Sequence, residues 1–242
     1  MRILKIGGGV ISHLESLGEH IRGEIIVHGA SDYVNALCHE AGVEIIRLKS
    51  VSGVEFRYTP LHILPYYIMG VMRANKEIVA YMQKIGRNAI GLSGVDGRIV
   101  EARRKSHIRV IINGKKRVIR DDYSGKIERI NRELIEKIME LAIPVIGALA
   151  IGEENIPLNV DGDTLAVRIA EAFRADELIF LSETAFMMDG QVVERIRQED
   201  LDEYIRMSHG GMRRKLMMIK ESLNGGVEEV IIQGLNGRTV IE

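Results

Sequence analysis

Two lysines stand in places where a lysine needs a reason. Lys5 lies inside the apolar run RILKI and is followed at once by Gly7-Gly8-Gly9. A cation is rarely buried among apolar residues without a partner. Lys215 follows Gly210-Gly211-Met212 at the head of a helical pattern. Glycines at strand-to-helix turns expose backbone N–H groups and form anion nests, and a helix N-terminus adds a positive dipole. Cations beside such turns suit phosphoryl transfer, which needs in-line positioning and positive charge on the moving group more than covalent help. Each feature alone also has a plainer reading. Glycine lets a chain turn, and a lysine at a helix head is commonly a solvated charge.

Elements that could position these residues recur along the chain. Apolar, β-rich runs occur at RILKI (2–6), EIIVHG (24–29), VEIIRL (43–48), NAIGLSG (88–94), IPVIGALAI (143–151), ELIFLSE (177–183) and EEVIIQG (228–234). Helical patterns lie between them. SDYVNALCHEAG sets Val34, Leu37, Cys38 and Ala41 on one face. IERINRELIEKIMELA sets Ile127, Ile130, Leu134, Ile138 and Leu141 on one stripe. MRRKLMMIKESLNGG sets Met212, Leu216, Ile219 and Leu223 likewise and stops at Asn-Gly-Gly. Near-continuous apolar strands alternating with amphipathic helices predict an α/β fold, with a mainly parallel sheet covered on both faces. Ligands in such folds bind at the C-terminal ends of strands. Those ends carry Gly7-Gly8-Gly9, His28-Gly29-Ala30-Ser31, Ser93-Gly94-Val95-Asp96-Gly97 and Ser182-Glu183-Thr184, with Asn159 to Thr164 and Gly210 to Lys215 preceding helices. One segment interrupts the alternation. HIRVIINGKKRVIR reads as a hairpin around Asn113-Gly114, and residues 103–120 hold eight Lys or Arg and no acid.

Composition narrows the chemistry. At 242 residues the chain is one large domain or two small lobes, and 46% hydrophobic content predicts a packed globule. A net charge of −1 argues against a polyelectrolyte binder. The single cysteine, Cys38, excludes an intramolecular disulfide and a cysteine-based zinc cluster, and its apolar helical setting reads as a core thiol. The seven histidines show no ligand spacing. No signal-peptide pattern and no membrane-length apolar run are present, so a cytoplasmic setting is expected. The P-loop, dinucleotide, protein-kinase, GxSxG and HExxH patterns are all absent.

KIGGG, HGAS, GLSGVDG, NVDGDTLA and GGMRRK, in this order, resemble the amino-acid kinase family, and its acetylglutamate-kinase branch in particular. FRYTP (56–60), YSGKIERIN (123–131) and NVDGD (159–163) resemble those members that act on an amino acid held by a small amino-group carrier protein of the LysW type. The resemblance implies a three-layer αβα sandwich over residues 1–242, with about 1–150 as the amino-acid lobe and about 151–242 as the ATP lobe. It implies ATP with Mg²⁺, and an acyl phosphate formed on the side-chain carboxylate of carrier-bound α-aminoadipate or glutamate, in lysine or arginine biosynthesis. It also implies a homodimer. No aromatic residue lies within 103–120 to stack bases and no membrane-length apolar run is present, so neither a nucleic-acid nor a membrane partner is expected. Phosphorylation of free N-acetylglutamate is one alternative. A non-catalytic binding or regulatory module of the same fold is another.

Site roles follow from the same resemblance. Lys5 and Lys215 correspond to the lysines on the transferring phosphoryl group, and Asp163 to the aspartate that organises them. Arg57 and Asn159 correspond to substrate contacts, along with the turn Gly29, Ala30 and Ser31. Gly7, Gly8, Ser182, Glu183, Met188, Gly210, Gly211 and Met212 correspond to phosphate and nucleotide contacts. No residue is assigned as a metal ligand. The basic hairpin is either a solvated ribbon or a docking surface for an acidic carrier, through Arg103, Arg104, Lys115, Lys116 and Arg117. The chain departs from the family at HGAS, where HGGG is usual. It departs again at SETAFMM, where SDVxGV is usual, and at its short final stretch NGRTVIE. Ala30 and Ser31 are expected to narrow the substrate loop or change its turn.

Overall fold

The computed structural model describes residues 1–51 and 53–242. In chain order, strands β1 (Arg2–Ile6) and β2 (Ile25–His28) lead into helix α1 (Ser31–Glu40). Strands β3 (Arg47–Ser50) and β4 (Glu55–Arg57) precede α2 (Leu64–Lys84), which is followed by β5 (Ala89–Ser93). Next come β6 (Val100–Arg104), β7 (Ile108–Ile112), β8 (Lys115–Ile119) and β9 (Gly125–Ile130), then α3 (Arg132–Met139). Strands β10 (Ile143–Gly147), β11 (Leu149–Ile151) and β12 (Pro157–Asn159) lead into α4 (Gly162–Phe173). The remainder is β13 (Glu177–Leu181), β14 (Met187–Met188), β15 (Gln191–Val192), β16 (Arg195–Ile196), α5 (Leu201–Met207), α6 (Gly210–Asn224), β17 (Glu229–Gly234) and β18 (Gly237–Ile241).

Eight strands form the central sheet, in the order β16-β18-β17-β13-β1-β2-β10-β5. Every pairing in it is parallel except β17 with β18. Successive side chains of a strand point to opposite faces, and β1 shows the result. Ile3 packs in one core with Phe180, Val27, Ile146 and the buried faces of α3, α4, α5 and α6. Leu4 and Ile6 pack in the other, with Ile26, Val145, Leu181, α1 and α2. The expected αβα sandwich is the observed architecture.

Two smaller four-stranded sheets sit beside it, ordered β12-β11-β6-β9 and β4-β3-β7-β8. The hairpin β7–β8 turns at Asn113 (φ 51°) and Gly114 (φ 72°), the positive-φ pair a two-residue hairpin turn requires. Among the described residues, no helix is long and apolar enough to cross a membrane.

Several sequence expectations give way. The run 43–48 does not join the parallel sheet. Its strand begins at Arg47 and pairs antiparallel with β4 and β7. The run 143–151 is two strands in different sheets, separated at Ala148, whose carbonyl accepts a hydrogen bond from the buried Tyr67 hydroxyl at 3.1 Å. Ile127 and Ile130 are not helical. They lie on β9, paired with β6, and α3 starts only after Asn131, whose side chain accepts the Leu134 N–H at 3.2 Å. Leu141 falls beyond that helix and is 73% exposed. Ala41 caps α1 and is exposed, while Leu37 is half-buried. The helix α2, absent from the expected elements, buries Leu64, Tyr67, Val71, Ala74, Ile78 and Met82 at helical spacing. The final stretch NGRTVIE supplies β18, which pairs with both β17 and β16.

Candidate active site

The centre of the site is a carboxylate held between two ammonium groups. Lys5 Nζ lies 2.5 Å from Asp163 Oδ1, and Lys215 Nζ lies 2.8 Å from Asp163 Oδ2. Three elements converge to do this. Lys5 projects from β1 opposite Phe180 of β13 in the parallel register, so both side chains leave the same face of the sheet. Helices α4 and α6 cover that face. Asp163 occupies the first turn of α4, where the helix dipole favours an acid. Asp161 caps this helix, accepting the Thr164 N–H at 2.8 Å, and Arg214 of α6 reaches Asp161 at 3.1 Å. Lys215 completes the set one turn into α6, with its ammonium 4.6 Å from the centre of the Phe180 ring.

The side chains of Lys5, Asp163 and Lys215 are only 10%, 21% and 12% exposed. Burial works against ionisation of Asp163, but the charges of Lys5 and Lys215 overcome it and hold its carboxyl well below the usual carboxylate range. Burial pushes the Lys215 ammonium below its ordinary value, with Asp163 opposing. The trio therefore carries one excess positive charge at neutral pH, in a setting of low effective dielectric where an incoming anion is strongly attracted.

Glycines surround this cation pair, and space is what they provide. A Cβ on Gly7 would stand 3.8 Å from Lys5 Nζ, and one on Gly162 would stand 3.4 Å from Gly29 and 3.6 Å from Lys5 Cε. A Cβ on Gly8 would come within 2.8 Å of the Ser31 nitrogen and Oγ. Gly7, Gly8, Gly29 and Gly162 thus form one cradle beside Lys5. The side chains at HGAS are accommodated as follows. Ala30 has φ −150°, outside the region that favours glycine, and its methyl is buried. Ser31 opens α1 and fills the space that the missing Cβ of Gly8 leaves.

The residues expected on the substrate side come together from distant segments. Arg57, on β4, gives Nη2 to Asn35 Oδ1 at 2.7 Å and to the Ser31 carbonyl at 3.3 Å. Its Nη1 is buried with no partner among the described residues. Such a group carries a desolvation cost until an acceptor arrives. Asn159, ending β12, donates to Thr59 Oγ1 at 2.9 Å. Asp122 locks the neighbouring loops, its oxygens accepting the Thr59 and Ser124 N–H groups, each at 2.8 Å. Residues 57–59, 122–124 and 159 are therefore one hydrogen-bonded unit. Asn35 and Asp122 were not among the expected site residues. The adjacent acids ending the basic hairpin were the sequence signal for Asp122, whereas nothing local pointed to Asn35.

The remaining predicted positions are placed as follows. The Ser182 N–H donates to Gln233 O at 2.9 Å, and Glu183 lies over Gly9, where a Cβ would meet its carboxylate at 2.2 Å. The SETAFMM segment is held by the end of the chain, since Asn236 Oδ1 accepts the Ala185 N–H at 2.8 Å and Thr239 Oγ1 accepts the Phe186 N–H at 3.0 Å. Met188 pairs with Gln191 in a short ribbon. Gly210 (φ 57°), Gly211 and the half-buried Met212 open α6, with open space where a Cβ on either glycine would stand. On the basic hairpin, Lys115, Lys116 and Arg117 are exposed. Arg103 pairs with Glu128 at 2.8 Å, and Arg104 is used internally. Arg104 stacks 3.9 Å from the centre of the Tyr123 ring and donates to the carbonyls of Asp122 and Arg120.

The chain that carries this arrangement matches a known class over nearly its whole length. The model of the amino acid kinase family matches residues 1–234, and the chain is a member of that family. Among full-length relatives, a Pyrococcus abyssi protein named as a candidate LysW-aminoadipate/LysW-glutamate kinase is 49% identical over 245 residues, covering all of both chains. The LysW-aminoadipate/LysW-glutamate kinase of Saccharolobus islandicus is 37% identical, covering 99% of this chain and 95% of its own. In fold, the chain is similar to the smu.665 protein of Streptococcus mutans (TM-score 0.78, 22% identity, 99% and 97% of the two chains). It is also similar in fold to N-acetylglutamate synthase from Neisseria gonorrhoeae (TM-score 0.79, 18% identity, 99% of this chain and 58% of that one).

Replacing the bridge predicts a cost in stability. In the variant Asp163→Asn, Lys5 and Lys215 become an uncompensated, mostly buried like-charge pair, so unfolding free energy at pH 7 should fall by about 3 kcal/mol. Chemical denaturation measures it, and a variant as stable as the parent would contradict a closed lysine–carboxylate–lysine arrangement.

Proposed function

We propose that this chain is an ATP-dependent kinase that phosphorylates the side-chain carboxylate of α-aminoadipate or glutamate borne by a small acidic carrier protein. One observation carries the reading: Lys5 and Lys215 grip opposite oxygens of a single carboxylate, next to a cradle that only glycines leave open. That donor set fits a phosphate and its transferring group. MgATP would supply the γ-phosphoryl group, and the metal would offset part of the phosphate charge beside Lys5 and Lys215. Lys5, from the substrate side, and Lys215, from the nucleotide side, neutralise the charge that spreads over the equatorial oxygens. Asp163 keeps both ammonium groups aimed before substrate arrives, so little reorganisation is left for the reaction itself. Residues 182–188 and 210–212 hold the nucleotide.

On the substrate side, Asn35 and Ser31 anchor one nitrogen of Arg57 and leave Nη1 free for a carboxylate. A planar guanidinium suits that geometry. Asn159 orients the same substrate through the unit it forms with Thr59. Attack of a side-chain carboxylate oxygen on the γ-phosphorus, with departure of the β–γ bridging oxygen, yields the acyl phosphate and ADP. The relatives' names carry aminoadipate and glutamate, in keeping with the lysine or arginine biosynthesis that the motif resemblance implies.

The carrier reading draws on those names and on the cationic ribbon. Lys115, Lys116 and Arg117 have no acidic partner among the described residues, and complementary charge accelerates association in a salt-dependent way. Trapping the product with hydroxylamine tests the assignment. Hydroxamate should form readily with the carrier-linked amino acid and at least about 100-fold more slowly, in kcat/KM, with free N-acetylglutamate. Equal use of the free acid would contradict the carrier reading. Reversing charge at Lys115, Lys116 and Arg117 together should raise KM for the carrier-linked substrate by about tenfold at low salt and less at high salt, leaving kcat unchanged. A KM that does not move would return the hairpin to a solvated ribbon.

A further inference from the structure

The histidine before the Gly29 turn has no part in the chemistry described so far. His28 ends β2 and is fully buried. Its ring lies across β10, where a Cβ on Gly147 would come within 3.1 Å of Nε2. Nδ1 stands 3.0 Å from the Gly29 carbonyl oxygen. A carbonyl only accepts, so Nδ1 carries the proton. Nε2 then offers a lone pair, which accepts from the Asn75 side-chain amide of α2 at 3.0 Å. The orientation of Asn75 is fixed independently, because the same nitrogen lies 2.9 Å from the Val145 carbonyl and 3.1 Å from the Leu92 carbonyl. The Nδ1–H tautomer suits both ring contacts, with the two hydrogens of the Asn75 amide shared among three acceptors and its Oδ1 buried without a partner among the described residues. Burial, reinforced by the charge of Lys5 and opposed by the Gly29 hydrogen bond, holds the imidazole down to about 4, so it is neutral at physiological pH.

This arrangement holds the carbonyl of Gly29, whose backbone borders Gly162 and Gly8. The Gly29 N–H is already committed to the Ile6 carbonyl at 3.0 Å. The next peptide joins the Gly29 carbonyl to the Ala30 N–H, and in a trans peptide these point in opposite directions. Holding the carbonyl against His28 turns the Ala30 N–H away from the ring. Among the described residues, no backbone carbonyl accepts the Ala30 or Ser31 N–H. A Cβ on Gly8 would lie 3.4 Å from the Ala30 carbonyl carbon and 2.8 Å from the Ser31 nitrogen, so the peptide after Ala30 packs against a glycine of the cradle. If the peptide flipped, a carbonyl oxygen would replace an N–H beside the anion.

We infer that His28 is a positioning residue that, as its neutral Nδ1–H tautomer, locks the Gly29–Ala30 peptide with the Ala30 N–H directed at the transferring phosphoryl group. The inference rests on the kinase reading above. Two substitutions separate it from a merely structural role. Asparagine places an amide N–H near the position of Nδ1, and glutamine places one near Nε2. The hydrogen bonds of Asn75 to Leu92 and Val145 survive in both. The variant His28→Asn should keep kcat within about threefold of the parent, whereas His28→Gln should lose about 100-fold, the scale of one lost oxyanion donor, with KM for ATP little changed in either. Equal losses in the two, or a loss confined to KM, would overturn the inference. Nitrogen-15 NMR of histidine-labelled parent protein decides the hydrogen bond without activity and without the variants. One histidine should show a protonated Nδ1 and an unprotonated Nε2 at pH 7, and an Nε2–H form at His28 would overturn the inference. A parent enzyme that forms no acyl phosphate would refute the kinase reading, and the NMR result would still decide the tautomer.

Discussion

Asp163 is the constraint on which the rest of this structure depends. A lysine from the central sheet and a lysine from the last helix each end on one of its two oxygens, at 2.5 and 2.8 Å. Two ammonium groups brought this close, with little water, repel strongly. The carboxylate removes that repulsion and leaves a single positive charge for a ligand. Sheet register, the crossover to α4 and the packing of α6 all serve this one convergence. Lys5 needs the face shared with Phe180, Asp163 needs the first turn of α4, and Lys215 needs α6 laid across the same face.

Around that clamp, the chain uses hydrogen-bonded locks to hold its loops without covalent ties. Asp122 binds the loop at Thr59 to the one at Ser124, and Asn159 ties the end of β12 to the same unit. The Tyr67 hydroxyl joins the break between β10 and β11 to the loop before α4, reaching both the Ala148 and Val160 carbonyls. His28 and Asn75 do the same beneath the Gly29 turn. Each lock is buried, where an unmade hydrogen bond is costly, so each loop has one favoured arrangement. The resulting preorganisation is what a phosphoryl-transfer site needs, since its catalysis is mostly positioning.

Much of this was readable from sequence, and the failures have physical causes. Lys5 stood out because a cation in ILKIG contradicts its surroundings. The αβα class followed from apolar strands alternating with helices, and the hairpin from Asn113-Gly114. The pairing of Lys5 with Phe180 could not be read, because sheet order is a non-local property. The Arg57–Asn35 contact joins a small antiparallel sheet to a helix, and no spacing announces it. Ile127 and Ile130 were misassigned because their separation of three residues extends the stripe of Leu134 and Ile138 by coincidence. The capping role of Asn131 was the contrary signal. The break at Ala148 lies in an unpunctuated apolar run, so nothing in IPVIGALAI marks it. The stripe of α2 was present, in Leu64, Tyr67, Val71, Ala74, Ile78 and Met82, and went unused.

The most direct test of the central claim compares ground-state and transition-state binding. MgADP affinity should be measured with the carrier-linked amino acid present, with and without aluminium fluoride as a mimic of the transferring phosphoryl group. If Lys5 and Lys215 act on that group, Lys5→Ala and Lys215→Ala should each weaken the fluoride-containing complex by about 100-fold or more while changing MgADP affinity by only a few-fold. Equal losses with and without aluminium fluoride would show that the two lysines serve binding alone, and would contradict the account.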